Sequence, residues 1–469
     1  MRETGGLRAR TRVIDDPGDL LALAGRFPSS PLVFWEHPTS GRAMLAVGIV
    51  REVRTRGAGR FAAAAAAAAR VLASIEPDGG SAAVRMLGGF AFSDTLGPDP
   101  EYPPARVVLP RLLWTRMPGR TTLTTVLDAN AGATAATMEE AAAWTLGAGA
   151  RAAAGTAAAL GAGGAAPLLA AAPALRLRAP APDAGEREEW QRRVARARAL
   201  IDEGAAQKIV VARRRRLIAD RVIDPAAVLA RARAGRPGCF NVWVRPGRGA
   251  SLIASTPELL VSRSGGEIAA SALAGSAPRG ADRADDERLA AALLACPKNG
   301  REHALVVRAV RDALAAAGAD VAPAPPPGIL RLPEAQHLET PVRAFAAQPL
   351  PVFALGGVLH PTPAVCGVPA AVARALIERE EPTRGWYTGT LGWTDAGGNG
   401  ELVVTLRSAL VEGATLEIWA GAGIVEGSDA DVEFAETEAK MRALVAPYLA
   451  PAVAAAGAGA APAAAALEA

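Results

Sequence analysis

The chain has 469 residues, half of them hydrophobic, which is ample for a large buried core. Its formal net charge is only +4, and its one dense basic run, Arg213–Arg216, has no interleaved aromatic residues that could stack on bases. We therefore expect this run to be a solvated strand end and expect no nucleic-acid partner. Three widely spaced cysteines form neither a disulfide framework nor a zinc-ligand pattern, and no apolar run is long enough to span a bilayer. These features predict a soluble, cytoplasmic protein without a membrane partner.

Residues 31–116 are predicted to form short strands and turns, because β-branched and aromatic residues recur in PLVFWE, AMLAVGIV, RMLGGFAFSD and ARVVLPRLLWTR. A helix is expected around Ala62–Ala69, since alanine has the highest helix propensity. Composition divides the chain into an N-terminal part at 1–146, an Ala/Gly/Pro-rich linker at 147–182, a motif-dense region at 183–450 and a low-complexity tail at 451–469.

The motif-dense region alternates between the two kinds of periodicity. EREEWQRRVARARALIDEGAAQ predicts a helix that ends near Gly204, KIVVARR a strand, and DPAAVLARARAG a helix stopped by Gly235. FNVWVRP and SLIASTPELLVSR predict strands. GELVVTLRSALVEGATLEIWAGAGIV predicts a hairpin that turns at Glu412-Gly413, and ADVEFAETEAKMRALVAPYL predicts a final helix.

The final helix carries a possible site. Glu433, Glu436 and Lys440 are spaced i, i+3 and i+7, which puts them on one helix face. Alone, this spacing is typical of a solvated surface with helix-stabilising pairs. A glycine turn predicted at Gly421–Gly423 would let a ligand approach the backbone and would present N–H groups to an anion. Arg407, predicted on the preceding strand, suits a carboxylate because its guanidinium is forked.

A second cluster lies in PKNGREHALVV, where Glu302 and His303 open a stretch predicted to be helical. Glu302 together with a carboxylate of the final helix would form a hard, oxygen-lined site. Such a site suits Mg²⁺, which takes one or two protein carboxylates and keeps water and an anionic substrate as its other ligands. Zinc is disfavoured, because the four histidines are scattered.

Seven motifs together resemble the chorismate-utilising enzymes, a family that includes isochorismate, anthranilate, aminodeoxychorismate and salicylate synthases. They occur in family order between about residues 185 and 445, and they are KIVVAR, STPELLVSR, ALAGSAPRG, PKNGREH, LHPTPAVCGVP, RGWYTGTLGW and GAGIVEGSDADVEFAETEAK. WEHP and GGFAF extend the resemblance to residues 31–116. The resemblance implies one α+β unit of large antiparallel sheets covered by helices, with the site between them. Residues 183–450 would be its chorismate-binding catalytic region, and residues 1–146 its N-terminal part.

The resemblance also implies roles for individual residues. Glu302 and Glu436 would bind Mg²⁺, with Glu433 close by, and the metal would bind the ring carboxylate of chorismate. Arg407 and the backbone at Gly421 would hold the enolpyruvyl carboxylate. The residues expected near the ring carboxylate or lining the site are Gly275, Ser276, His337, Tyr387 and Lys440.

Two residues would carry the chemistry. Family members that add water have a lysine where KIVVAR begins, here Lys208, whereas those that add ammonia usually have glutamine. Lys208 can act as a base only in its neutral form, which burial or a nearby positive charge would favour. Glu258 in STPELLV can act as the acid only if its pKa is raised, and apolar neighbours would raise it. The context of each residue outweighs the alternative of an ordinary surface charge.

Isochorismate synthase activity is the expectation, for menaquinone or catecholate siderophore biosynthesis. Salicylate synthase shares the lysine and is the main alternative, but LHPTPAVCGVP and ALAGS favour the isochorismate branch. A non-catalytic chorismate-binding scaffold is the alternative of another class. We expect a monomer or homodimer without an obligatory amidotransferase partner.

A few positions depart from the family pattern. Ser276 stands where threonine is usual, Leu259 where arginine commonly follows the acid, and Asn399 where aspartate is usual. EREEPTRG lacks the usual Phe-Asp before Arg-Gly. None of these departures removes a proposed catalytic group.

Overall fold

The computed structural model describes residues 6–78, 83–95, 100–128, 176–178, 184–333 and 335–445. The predicted linker therefore lies outside the described residues except at 176–178, and the predicted tail lies wholly outside them.

The strands in these ranges are β1 (Leu7–Ile14), β2 (Leu32–His37), β3 (Arg42–Thr55), β4 (Ile75–Asp78), β5 (Arg85–Phe90), β6 (Ala105–Met117), β7 (Arg120–Asp128), β8 (Leu177–Arg178), β9 (Lys208–Ala219), β10 (Phe240–Arg245), β11 (Ser251–Thr256), β12 (Leu259–Ser264), β13 (Glu267–Pro278), β14 (Asp320–Val321), β15 (Gly328–Arg331), β16 (Ala335–Phe345), β17 (Gly367–Val368), β18 (Thr390–Asp395), β19 (Gly400–Val404), β20 (Ser408–Glu412) and β21 (Thr415–Ile424). The helices are α1 (Leu20–Ala24), α2 (Arg60–Ala73), α3 (Ala184–Asp202), α4 (Pro225–Gly235), α5 (Arg283–Ala295), α6 (Pro297–Ala316), α7 (Val352–Leu359), α8 (Ala370–Glu380) and α9 (Ala430–Val445). A 3₁₀ turn covers Pro38–Ser40.

Two large antiparallel sheets meet at β6. One sheet runs through β16, β13, β12, β19, β18 and β5 to β6, and the other continues from β6 through β3, β2, β10, β11, β20, β21 and β9. Apolar side chains from both sheets form one buried cluster, in which Trp35 of β2 contacts Trp393 of β18 edge to face. The sheets therefore pack face to face around a shared interior.

Helices cover the outer faces of the two sheets. Phe61 of α2, Val306 of α6 and Phe353 of α7 pack in one cluster with the first sheet. A second cluster joins α1, α4 and α9 to the other sheet, and a third joins α3 and α8 to β9 and β21. This arrangement is the expected α+β architecture. Among the described helices, none has a stretch long and apolar enough to cross a bilayer.

Local sequence explains where several helices begin. The Asp224 side chain accepts a hydrogen bond from the Ala226 amide, and Pro225 fills the first helical position of α4. The Asp282 side chain caps α5 in the same way through the Asp285 amide. The alanine run lies inside α2, as its propensity predicts.

Three expectations need correction. GELVV and SALVE are not one continuous strand, because β19 pairs with β12 and β18 whereas β20 pairs with β11 and β21. Gly421–Gly423 is not a turn but lies inside β21, paired with β9. The arginine run is not simply solvated, since Arg213 is buried and its guanidinium pairs with Glu186 and Glu438.

Candidate active site

A cavity of about 160 Å³ lies where β9, β21, α6 and α9 meet. Every residue that the sequence nominated lines it. These are Lys208, Glu258, Gly275, Ser276, Glu302, His337, Tyr387, Arg407, Gly421, Glu433, Glu436 and Lys440. They come from distant parts of the chain, so the fold gathers them at one place.

Lys208 opens β9 and is only 1% exposed. Its Nζ lies 2.7 Å from Oε1 of Glu302 on α6, so a buried lysine and a partly buried carboxylate form an ion pair in the cavity wall. A methyl group at Gly423 would lie 2.9 Å from Cε of Lys208 and 3.0 Å from that carboxylate oxygen. A side chain at this position would therefore displace the Lys208 and Glu302 side chains, and glycine leaves room for the ion pair.

Glu258 lies in the short connection between β11 and β12 and is 3% exposed. Burial raises the pKa of Glu258 to about 7, although the positive charges of Lys208 and Arg407 act in the opposite direction. Glu258 is therefore substantially protonated near neutral pH. Burial likewise raises the pKa of Tyr387 to about 12, which keeps its phenol neutral.

The predicted face of α9 points into the cavity. The Lys440 ammonium contacts Oε1 of Glu436 at 2.6 Å and donates a hydrogen bond to the Gly421 carbonyl at 2.9 Å. Burial acts to raise the pKa of Glu436, but Lys440 outweighs it and the pKa is lowered. Burial and the neighbouring Glu436 carboxylate raise the pKa of Glu433. Gly421 therefore contacts Lys440 through its carbonyl oxygen and not, as predicted for an anion site, through an N–H group.

Gly275 and Ser276 occupy an irregularity in β13. The register with β16 shifts between Ala274 and Ser276, and Gly275 adopts a φ of +80°, which favours glycine. The bulge brings the Ser276 hydroxyl to 2.9 Å from Nδ1 of His337. The hydroxyl that replaces the usual threonine therefore has a defined partner on the cavity wall.

Arg407 lies between β19 and β20, not on a strand as predicted. It has a φ of 48°, and Thr388 on the adjoining loop has a φ of 57°. Such left-handed conformations are uncommon for residues other than glycine and cluster at functional sites. The two segments are joined, since the Thr388 amide donates to the Thr405 carbonyl at 2.9 Å.

Sequence reasoning missed three polar residues of the cavity wall, Lys298, Asn299 and Thr388. The Lys298 ammonium lies 3.6 Å from Oε1 of Glu433. Lys298 and Asn299 precede Glu302 by four and three residues, so helical spacing alone places all three on one face of α6. Thr388 had no comparable signal, because its position depends on the backbone of an irregular loop.

The carboxylates of α6 and α9 provide oxygen ligands suited to a divalent cation. Among the described residues, no three of the His, Cys, Asp and Glu side chains are close enough to form a ready-made metal cluster. Mg²⁺ does not need one, since it is usually bound by one or two carboxylates plus water and substrate oxygens. Glu302 and Glu436 could meet that requirement, and burial together with the neighbouring Glu436 carboxylate raises the pKa of Glu433 beside them.

The chain is similar in sequence to proteins known as isochorismate synthases. The chain is 34% identical over 261 residues to isochorismate synthase MenF of Bacillus subtilis, covering 55% of each chain. It is 38% identical over 286 residues to the salicylate biosynthesis isochorismate synthase of Pseudomonas aeruginosa, covering 58% of this chain and 60% of that one. Both matches span less than two thirds of the relative.

The structural likeness is more extensive. The structure of MenF, the menaquinone-specific isochorismate synthase from Escherichia coli, superimposes with a TM-score of 0.75 and 26% identity, covering 95% of both chains. The family model described as chorismate binding enzyme matches residues 9–447, which is nearly the whole chain. The protein therefore belongs to the chorismate-binding enzyme family.

Proposed function

We propose that this protein is a Mg²⁺-dependent isochorismate synthase. It would convert chorismate reversibly to isochorismate by adding water at ring C2 while the C4 hydroxyl leaves. The observation that carries the proposal is the pair formed by buried Lys208 and Glu258 in one cavity, with the Glu258 pKa raised to about 7. The reaction needs a base and a protonated acid, and these two groups can supply them.

The proton balance of the reaction assigns a role to each group. As the water oxygen bonds to C2, a water proton passes to Nζ of Lys208, which must first lose the proton that its ammonium carries in the pair with Glu302. The C1–C2 double bond shifts to C1–C6, and the C5–C6 double bond shifts to C4–C5. The C4–O bond then breaks, and the Glu258 proton joins the departing hydroxyl, which leaves as water. One water enters and one leaves. In the reverse reaction, Lys208 would donate the proton and Glu258 would accept it.

The other residues bind and orient the substrate. Arg407 and the backbone around Gly421 are proposed to hold the enolpyruvyl carboxylate, and Lys440, Gly275 and Ser276 the ring carboxylate end. Tyr387 and His337 line the same space.

Glu302 and Glu436 are the proposed Mg²⁺ ligands, and Glu433 supports them. When bound, Mg²⁺ would neutralise and orient the ring carboxylate of chorismate. Glu302 would then have two partners, the Mg²⁺ ion and the Lys208 ammonium that contacts its carboxylate.

The biosynthetic pathway and the cellular location are also proposed. A structural match over 95% of both chains is to a menaquinone-specific enzyme, which favours menaquinone over a catecholate siderophore as the destination of the product. We propose that the enzyme works in the cytoplasm. It would need no amidotransferase partner, because water rather than ammonia is the nucleophile.

The test is incubation of the purified protein with chorismate and Mg²⁺, followed by chromatographic separation of the products. Isochorismate without pyruvate supports the proposal, and chelation of the metal should stop its formation. Stoichiometric salicylate and pyruvate would instead identify a salicylate synthase. Tight chorismate binding without turnover, under any divalent metal, would favour the non-catalytic scaffold.

A further inference from the structure

Outside the residues assigned above, one buried ion pair connects several segments of the cavity wall. Arg384 and Glu381 flank Pro382 and Thr383 just after α8, and their side chains are 2% and 3% exposed. The pair is bidentate, with Nε 2.7 Å from Oε2 and Nη2 2.9 Å from Oε1. A forked pair of this kind defines an orientation as well as an attraction.

The remaining donors of Arg384 reach two backbone carbonyls and one side-chain hydroxyl. Nη2 donates to the Val210 carbonyl on β9 at 2.8 Å, and Nη1 donates to the Val365 carbonyl at 2.8 Å. Nη1 also lies 3.5 Å from the Thr388 hydroxyl. All five N–H groups of the guanidinium therefore face acceptors, a pattern that an ammonium with three donors cannot reproduce.

Glu381 adds a further link to the same strand. Its Oε1 accepts a hydrogen bond from the Ala212 amide on β9 at 2.8 Å. Val210, Val365 and Thr388 all line the candidate active site. The pair thus joins the strand that carries Lys208 to the loop that carries Tyr387 and Thr388, although it lies behind the cavity and does not line it.

We propose that Arg384, oriented by Glu381, is a positioning residue for the reaction. It fixes the beginning of β9 relative to the Tyr387–Thr388 loop, and so sets where the Lys208 amine lies relative to bound substrate. This inference rests on the proposed function. The groups proposed to bind the substrate carboxylates, Arg407 and Lys440, take no part in the pair. Loss of Arg384 should therefore reduce turnover more than substrate affinity.

The first test is Arg384→Lys, which keeps a positive charge but loses the fork. We expect kcat to fall about 100-fold, as misplacement of a catalytic group by about 1 Å can produce. KM should stay within about threefold of wild type, because uniform binding is retained. The matched control is Arg233→Lys, since Arg233 forms a comparable forked pair with Asp19 away from the cavity. The control should lose thermal stability and keep its kcat.

The second test is chemical rescue of Arg384→Ala. A second cavity of about 130 Å³ lies beside Arg384 and Glu381, under the partly exposed Ser93 and the exposed Thr95. This cavity provides a path by which free guanidinium could reach Glu381. Guanidinium chloride at non-denaturing concentration should raise the kcat of Arg384→Ala at least tenfold, a partial recovery of the about 100-fold loss that misplacement can produce. Sodium chloride at equal ionic strength should not.

The outcomes separate the two proposals. A wild-type protein that makes no isochorismate refutes the proposed function. An active wild type, together with a folded Arg384→Lys variant of unchanged kcat, refutes the positioning role. The role is also refuted if guanidinium fails to rescue a folded Arg384→Ala variant, or if it raises the kcat of Arg233→Ala equally. Should Arg384→Ala not fold, the kcat and KM of Arg384→Lys decide the question.

Discussion

The carboxyl groups in two parts of the cavity have different surroundings. On the α6 and α9 side, Glu302, Glu433 and Glu436 each have a lysine ammonium within 4 Å. In the β11–β12 connection, burial dominates the surroundings of Glu258 and raises its pKa to about 7. The pKa is raised at Glu258 and lowered at Glu436, so these two glutamates are suited to different chemistry.

The difference supports the proposal that one cavity combines cation binding with acid catalysis. A carboxylate beside an ammonium remains ionised and offers oxygen atoms to a metal, as the lowered pKa of Glu436 indicates. A carboxyl group away from water keeps its proton and can donate it. The environment, more than the residue type, decides which role a glutamate has.

The largest expected effect comes from removing Lys208, the proposed base. Lys208→Ala should lower kcat by about 10³- to 10⁴-fold, the upper part of the range for general acid–base catalysis, because no other group replaces the amine. Chorismate affinity measured by calorimetry should remain close to wild type. Arg214→Ala on the same strand is the control, since its side chain is 43% exposed and pairs with Glu417 instead. An active Lys208→Ala enzyme would contradict the assigned role.

The next effect concerns the acid. If protonated Glu258 donates to the leaving hydroxyl, kcat should decline as the pH rises above about 7, because the proton is lost there. Glu258→Gln should lower kcat about 10²- to 10³-fold and remove that decline. The measurement is a pH profile of isochorismate formation for both proteins. An unchanged decline in the variant would assign it to another group.

The same substitution should change stability in the opposite direction. Because the folded-state pKa of Glu258 is raised, wild type loses stability as the pH rises from about 4.5 to about 7 and then remains at the lower level. Above pH 7, Glu258→Gln should be more stable than wild type by about 3 kcal/mol, and the gap should close towards pH 4.5. Urea unfolding across this range measures it. A gap that is independent of pH would contradict the raised pKa.

The smallest effect tests the opposite side of the cavity. Glu436→Gln should weaken Mn²⁺ binding, followed by electron paramagnetic resonance, at least about tenfold, because loss of a partner that only orients a metal ligand already costs about 10- to 100-fold and here a proposed ligand is lost. Glu433→Gln should weaken it less. The control is Glu438→Gln on the same helix, whose carboxylate pairs with Arg213 and Arg215 instead. Equal losses in all three variants would point to damage of α9, not loss of a ligand.

Local patterns predicted much of this arrangement. The strand at KIVVARR and the shared face of Glu433, Glu436 and Lys440 follow from periods of two and 3.6 residues, which depend only on neighbours in sequence. The gathering of the site residues came from the family resemblance, since no periodicity connects Glu258 with Glu302. Their individual roles remain predictions.

What the sequence could not show was set by distant contacts. EREEPTRG looks like a solvated run of charges, yet Glu381 and Arg384 are buried because β9 supplies partners for both. Arg213 is buried for a similar reason, with acceptors from α3 and α9. The left-handed backbone of Arg407 had no sequence signal, because it arises where two strands leave for different neighbours.

The pairing of β2 with β10 has a consequence for the growing chain. The register places Leu32 opposite Arg245, so β2 pairs with a strand that is synthesised much later. The same is true of β5, which pairs with β18. Translation proceeds at about 5–20 residues per second, so roughly 200 further residues take about 10–40 s to emerge. Throughout that interval, the apolar strands of the N-terminal part have an open edge that could pair with another nascent chain. Production of the protein should therefore be most vulnerable to aggregation before the second half has left the ribosome.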